Sequence, residues 1–337
     1  MTNAMIFTPF EDLHAHPAVV EKVMGLLAEV RDYDDVAALG EAFVRGIEED
    51  HDYRHVIASE GEIDSGEVVG IIALDTNRTL ELAVSPSRRH HGIGRALFEE
   101  IARAFDLEGA VDVWAHGDSP SAQKLVEVMG GRRTRELLKM AVKCAPGSGH
   151  SEHFLKEEAH AWREVEDQDI EVLTYPQAVE KYGEEFVDEE WVRVNNEAFA
   201  WHPEQGGWDI ERLVSARDTS WYRPDGVWML WTTDEINGES RCMGVHWTKL
   251  PLEEREKPSG ERTGEVYVVC LANEARGKGL GGPMTLIGMG SLLHEGVGVI
   301  ELYVEGDNAP AVATYRRLGF EVVHTDVVYR GLLAPHK

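Results

Sequence analysis

Two stretches of this chain have the residue types and spacing of a phosphate cradle. Arg89-His90-His91-Gly92-Ile93-Gly94 and Arg276-Gly277-Lys278-Gly279-Leu280-Gly281 both read R-x-x-G-x-G, 187 residues apart (89 to 276). Each follows an apolar run with strand character, residues 80–84 and 266–271, and opens a stretch with helix character. A strand that breaks into a glycine-rich turn and then a helix presents backbone N–H groups and the positive end of the helix dipole, which suits a pyrophosphate. A second block also recurs. Trp114-Ala115-His116-Gly117-Asp118 matches Tyr303-Val304-Glu305-Gly306-Asp307, 189 residues apart (114 to 303). Two blocks at nearly one offset establish an internal duplication of a nucleotide-cofactor domain.

The elements around each turn follow one order. In the first half, helical spacing of Val19, Val20, Val23, Leu26, Leu27 and Val30 predicts a helix over 17–31, and a second is expected over 35–47. Strands are expected at 53–58, 67–74 and 79–84, then the turn, a helix to about 105, a strand at 110–115, a helix near 119–129 and a strand near 133–142. Ala145-Pro146-Gly147-Ser148-Gly149 breaks the composition, and the polar segment to Asp169 reads as a partly helical linker. In the second half, helices at 175–182 and 184–199 lead to a loop at 200–207. Strands at 227–233 and 241–249 flank Asn237-Gly238, a hairpin signal. A strand at 265–271, the turn, and a helix with Pro283 in its first turn follow. A strand at 299–304, a helix to Leu318 and a strand from Phe320 close the pattern, with Gly319 in a helix-ending position. The expected boundaries are 1–143 and 168–337 for the domains and 144–167 for the linker.

At 337 residues the chain suits two domains, and 43% hydrophobic residues suffice for a core in each. A formal net charge of −28 repels nucleic acid and anionic membranes, excludes both as expected partners, and is compatible with a cationic substrate. Cys144, Cys242 and Cys270 are scattered and lack C-x-x-C spacing, so neither a zinc knuckle nor a disulfide framework is expected. No set of His, Cys and carboxylates has ligand spacing, and His202 and His246 are expected as loop or packing residues, so no metal is expected. Residues 1–17 lack a basic start followed by a long apolar run, and no stretch is apolar enough to span a bilayer. A cytoplasmic monomer is expected.

Three cofactor chemistries use such turns. A nucleoside-triphosphatase loop needs G-x-x-x-x-G-K-[S/T], which neither copy has. A dinucleotide fold wants G-x-G-x-x-G near the start of its domain. Gly277, Gly279 and Gly282 meet that spacing, but several elements precede the turn and the first copy breaks the pattern. The third option is a coenzyme A turn. The arrangement resembles the GNAT acetyltransferase superfamily, in which R/Q-x-x-G-x-G/A follows the fourth strand. The fold implied is α/β (a mixed α+β sheet), as two tandem GNAT domains.

Longer strings in the second half narrow the resemblance. Val194-Asn195-Asn196-Glu197-Ala198-Phe199, His202-Pro203-Glu204-Gln205-Gly206-Gly207-Trp208, His246-Trp247-Thr248-Lys249, Gly264-Glu265-Val266-Tyr267-Val268 and Leu302-Tyr303-Val304-Glu305-Gly306-Asp307-Asn308 resemble the mycothiol synthase family of tandem GNAT enzymes. The resemblance implies acetyl transfer from acetyl-CoA to the cysteinyl amine of Cys-GlcN-Ins, a small-molecule substrate, giving mycothiol and CoA. It implies substrate contacts at Glu41, Glu204, Lys249, Glu265 and Tyr303, with Glu265 as base and Tyr315 as acid. It also implies acetyl-CoA contacts at Val269, Cys270 and Leu271, at Arg276, Gly277, Lys278, Gly279, Leu280, Gly281 and Gly282, and at Asn308, Ala309, Pro310, Ala311, Val312 and Ala313. In the first half, Leu82, Ala83, Val84, His90, His91, Gly92, Ile93, Gly94 and Arg95 would hold a second acetyl-CoA without reaction.

The chemistry agrees with these residue types. Transfer to an amine needs a base, donors for the oxyanion, and a donor for the leaving thiolate. Glu204 and Glu265 suit an ammonium, and Lys249 and Tyr303 suit sugar or inositol hydroxyls. Aligned at the turns, Glu265 corresponds to Arg78. Aligned at the Gly-Asp blocks, Tyr315 corresponds to Val126. The second half is therefore expected to be catalytic. The alternatives are a GNAT enzyme for another amine and a non-catalytic acyl-CoA sensor.

Overall fold

Strand-forming runs of four to thirteen residues occur in both halves, and stretches with helical period cover them. The computed structural model describes residues 4–202, 205–234 and 236–333. In chain order the first half contains β1 (Met5–Phe10), α1 (Pro17–Asp34), α2 (Glu41–Glu48), β2 (Arg54–Glu60), β3 (Glu67–Leu74), β4 (Thr79–Val84), α3 (Ile93–Ala104), β5 (Gly109–Ala115), α4 (Pro120–Val128) and β6 (Arg132–Lys143). Then come α5 (Gly149–Glu166), β7 (Glu171–Thr174), α6 (Tyr175–Tyr182), α7 (Glu184–Ala198), α8 (Ile210–Arg217), β8 (Val227–Thr233), β9 (Ser240–Lys249) and α9 (Leu252–Glu256). The chain closes with β10 (Arg262–Leu271), α10 (Gly281–His294), β11 (Val297–Glu305), α11 (Ala309–Arg317) and β12 (Glu321–Leu333).

These elements form two units. The first holds residues up to 138, with 305–307 and the chain from 324; the second holds 139–304 and 308–323. In the first unit, β1 to β4 form an antiparallel meander and β4 pairs with β5 in parallel. Residues 327–333 of β12 lie antiparallel against β5, so the last strand of the sequence completes the sheet of the first unit. β3 is buried at every residue after its first, as a strand covered on both faces must be. Strand alternation splits its side chains. Ile71 and Ala73 pack with Val19, Val23, Leu26 and Val30 of α1, and Ile72 and Leu74 pack with Leu97, Phe98 and Ile101 of α3.

In the second unit, β7 to β10 are antiparallel and β10 pairs with β11 in parallel. The end of β6 lies on the far side of β11. The expected hairpin forms between β8 and β9, with Gly238 at φ +72. Five elements escaped sequence reading or moved, the short α9 among them. β1 and β7 are short edge strands whose pairing is long-range. α8 carries its apolar contact on one buried residue, Leu213. The helix expected from residue 35 starts at Glu41, because Asp35 takes the left-handed conformation (φ 61) that closes α1. Within the stretch expected as linker, α5 spans Gly149–Glu166 and is capped by Ser148, whose Oγ accepts from the Ser151 N–H at 3.1 Å.

Helix α10 sits against β9 through missing side chains. His246 is fully buried and its Nδ1 donates to the Met284 carbonyl at 2.9 Å. Burial pushes its pKa down to about 4, so the imidazole is neutral and acts in packing. A Cβ on Gly288 would lie 2.1 Å from that ring. Gly288→Ala is therefore expected to destabilise the protein by ~1–3 kcal/mol through overpacking, read as a lower urea midpoint.

Candidate active site

The two turns keep one backbone shape. Gly277 and Gly279 have φ +76 and +78, and His90 and Gly92 at the matching positions have φ +64 and +82. A histidine held in the left-handed region costs about 1 kcal/mol relative to its ordinary conformations. The first turn therefore keeps its form although its sequence has drifted. Helices α3 and α10, which the turns open, have no side-chain cap at the N-terminus. By contrast α4 is capped by Ser119 and α11 by Asn308, whose Oδ1 accepts from the Ala311 N–H at 3.3 Å. Open N-terminal amides are what an anion would satisfy. A Cβ on Gly282 would meet nothing within 4 Å, so there is space above that helix end.

The arginine that begins each motif is tied to its own unit. Arg276 Nη2 donates to the Glu197 carbonyl at 2.8 Å, and the Glu197 carboxylate accepts from the Asn273 N–H at 2.7 Å. Arg89 makes two bonds to Asp34 at 2.8 and 2.6 Å. Both arginines fix the turn against the helix on the opposite side of the sheet opening, α7 or α1.

That opening comes from the strand ladders. β10 and β11 pair up to Val266 opposite Leu302, although β10 continues to Leu271 and β11 to Glu305. β10 also shifts register against β9 between Val266 and Val268, the mark of a bulge. Beyond it, backbone groups of residues 267–271 on the side of β11 lie outside the ladder and must find other partners. Cys270 turns its backbone groups to β9 instead, since the Ala272 N–H two residues on donates to Met243 there, and its buried thiol faces the Val245 carbonyl at 3.6 Å, with burial pushing its pKa up to about 12.

Glu265 stands in the interior of β10, just before the bulge, rather than at the strand start expected from sequence. Its cross-strand partner is Lys249 and its parallel partner is Glu301. Lys249 is buried, with its ammonium 4.8 Å from the Trp221 ring centre and 5.8 Å from that of Tyr267. Tyr303 is two residues beyond Glu301 on the same face, with the Lys139 ammonium 5.7 Å from its ring centre. The structure thus brings Lys249, Glu265 and Tyr303 onto one face of one sheet. Tyr315, on α11, packs edge-on against Phe320 at 5.9 Å, and burial pushes its hydroxyl up to about 12. Ala309, Pro310 and Ala313 are exposed at the start of α11, Ala311 is half-buried and Val312 faces the core. Glu204 lies outside the described residues. Glu41 is exposed in the first turn of α2, in the first unit.

Sheet register refines the comparison of the halves. Glu265 opposite Lys249 and Glu301 corresponds to Thr79 opposite Asp75 and Asp112, so its counterpart is Thr79 rather than Arg78. The bulge accounts for the difference of one. Neither residue is a base. The first unit nonetheless has a cavity of about 650 Å³ between Leu82–Val84, the turn residues His90 and Gly92–Arg95, and Val126. This falls in the range of small-molecule sites. His91 is exposed and its Nδ1 lies 2.8 Å from the Arg89 carbonyl.

At one end of the cavity is a charged cluster that sequence reading missed. His116 Nε2 is 3.2 Å from Glu81 and its Nδ1 is 3.4 Å from Asp326. Asp326 also receives the Gly117 N–H at 2.8 Å. Burial alone would lower the His116 pKa, but the Asp326 and Glu81 carboxylates outweigh it and raise it to about 10. Asp326 and His116 are far apart in sequence, and only the placement of β12 reveals the pair.

Comparison with known proteins follows the same lines. Two family models match, one described as an acetyltransferase (GNAT) domain over residues 51–130 and one as the acetyltransferase (GNAT) family over 188–320. A mycothiol acetyltransferase of Corynebacterium urealyticum is 56% identical across 97% of this chain and 98% of its own length. Another, of Corynebacterium jeikeium, is 53% identical across 98% and 100%. The chain belongs to the mycothiol acetyltransferase family. It is accordingly an acetyl-CoA-dependent N-acetyltransferase built from two tandem GNAT domains. Among solved structures, a tandem GNAT protein from the clavulanic acid biosynthesis pathway superposes with a TM-score of 0.65 at 17% identity, covering 99% of this chain and 100% of that one. That similarity concerns the fold alone. Among the described residues, no helix is long and apolar enough to cross a membrane, and no group of three or more His, Cys, Asp or Glu could hold a metal.

The His116 cluster has a pH consequence. A histidine whose pKa is raised on folding adds stability that is full below about 6.5 and is lost as pH rises toward 10. The melting temperature is expected to fall between pH 6.5 and 10, and His116→Gln to flatten that slope, as read by thermal unfolding across buffers.

Proposed function

We propose that the second unit transfers an acetyl group from acetyl-CoA to the cysteinyl amine of Cys-GlcN-Ins, forming mycothiol and CoA. The observation that carries this reading is Glu265, paired with Lys249 across the sheet at the point where β10 parts from β11. A carboxylate there is one strand segment away from the coenzyme turn. It takes the proton from the substrate amine, directly or through water, as the nitrogen attacks the thioester carbon. Amides of Val269 and Leu271 on the parted edge donate to the carbonyl oxygen as it gains charge. The carbon–sulfur bond then breaks, and the Tyr315 hydroxyl donates to the leaving thiolate. Lys249, Tyr303 and Glu204 bind the pseudodisaccharide, with Glu41 assigned a contact from the resemblance alone.

Acetyl-CoA is held by the amides of residues 276–282 and the start of α11. The first domain, residues 1–143, holds a second acetyl-CoA in its cavity without reaction, since Thr79 and Val126 stand where the proton-handling residues would be. Residues 144–167 connect it in sequence to the catalytic half, residues 168–337, whose chain from 324 packs in the first unit. The charge of −28 supports a small cationic substrate and no nucleic acid or membrane partner. The active species is a cytoplasmic monomer that uses no metal.

Glu265→Gln is expected to lower kcat by roughly 10²-fold or more while acetyl-CoA affinity stays within about threefold, measured by CoA thiol release and calorimetry. Tyr315→Phe is expected to lower kcat at every pH from 6 to 10, because its hydroxyl keeps its proton up to about 12. Full turnover in both variants would remove the assignment.

A further inference from the structure

Glu265 is one of two carboxylates on its face of the sheet. The parallel register sets Glu301 beside it, and the Lys139 ammonium lies 2.8 Å from Glu301. Read across β9, β10, β11 and β6, the row is Lys249, Glu265, Glu301, Lys139, with both anions in the middle and a cation at each end. Adjacent like charges on a sheet cost stability unless a cation joins them. Each lysine also rests against an aromatic ring, Lys249 on Trp221 and Lys139 on Tyr303. The cations are thus held at the outside of the row.

The first unit shows what the same positions look like without this arrangement. Asp75, Thr79, Asp112 and Arg330 occupy them. Asp75 closes its own turn by accepting from the Asn77 and Thr79 N–H groups at 2.9 and 2.7 Å. Asp112 forms a two-point pair with Arg330 at 2.8 and 2.5 Å. The pair next to the ladder end, Asp112 with Arg330 and Glu301 with Lys139, is kept in both units. A second carboxylate beside it is found only where Tyr315 is also present.

We propose that Glu301, oriented by Lys139, is a substrate-binding residue that forms with Glu265 a two-carboxylate seat for the ammonium form of the acceptor amine. The amine arrives charged and donates one N–H to each carboxylate. Glu265 then takes one proton, and Glu301 keeps hold of the neutral nitrogen as it turns to the thioester. Lys139 leaves Glu301 one oxygen for the substrate and is a positioning residue. This inference rests on the reading of Glu265 as the base.

Steady-state kinetics with Cys-GlcN-Ins and acetyl-CoA test it. Glu301→Gln is expected to raise KM for the amine by about tenfold or more, the scale of one charge-assisted hydrogen bond. Its kcat should stay within about threefold and its KM for acetyl-CoA should not change. Glu301→Asp should recover part of the loss, and Lys139→Met should raise the amine KM by a smaller factor. A wild-type measurement avoids any folding defect: with CoA bound, an alanyl analogue of the substrate should bind about tenfold tighter than its lactyl counterpart, which has a hydroxyl for the amine. An unchanged amine KM in Glu301→Gln, an equal rise in both KM values, or equal binding of the two analogues overturns the seat. Glu265→Gln measured in parallel separates the two readings. If it loses turnover while Glu301→Gln is normal, only the seat fails; if it keeps turnover, the base assignment fails.

Discussion

The organising constraint is the early end of the parallel ladder in each unit. A strand that leaves its partner before it ends has backbone donors and acceptors that the sheet no longer satisfies. β10 does so after Val266 and β4 after Leu80, where its pairing with β5 stops at Val113. In the second unit, a bulge between Val266 and Val268 sharpens the departure. Each parted strand then runs into a turn whose positive φ values aim further N–H groups outward, and into a helix with an uncapped N-terminus. The open amides come from backbone geometry, so the frame tolerates side-chain drift at the turn.

The two copies have diverged around that shared frame. The drift is visible in His90, which holds at φ +64 the conformation that Gly277 holds at +76. The chemistry-bearing positions have not been kept. A lysine and a glutamate face each other across β9 and β10, whereas Asp75 and Thr79 at the same register only close a turn. Loss of the carboxylate at the register position of Glu265 needs a single substitution, while loss of the parted edge would need the ladder to close. A copy can therefore lack the carboxylate and keep the open amides.

Charged residues in both units are placed by the last strands. β12 delivers Asp326 to His116 and Arg330 to Asp112, and β6 delivers Lys139 to Glu301. The first of these pairs is largely desolvated, so its members depend on each other for their ionisation. Asp326 has its carboxyl held well below the usual range by His116 and His324, although burial alone would raise it. The His116–Asp326 pair fixes β12 beside β5, because a misplaced strand would leave a buried charge without its counterion.

From the sequence, the repeat, the turn and the family strings were legible because each depends on short local spacing. Periodicity placed α1, α3, α7 and α10 and the strands β3, β4, β8 and β9 within a few residues, since their apolar faces bury against one another. It also gave Glu265 and Tyr315 as the asymmetric pair between the halves. The short edge strands β1 and β7 were not legible, because their hydrogen bonds go to residues more than forty positions away. Glu301 was within reach, as it shares strand parity with Tyr303. Lys139, Trp221 and the His116 cluster were not, since no local pattern links them to their partners. Local chemistry determines which segments can hold a coenzyme. Only the register between distant strands decides which carboxylates and ammonium groups meet there, because a shift of one residue would turn every one of them to the other face.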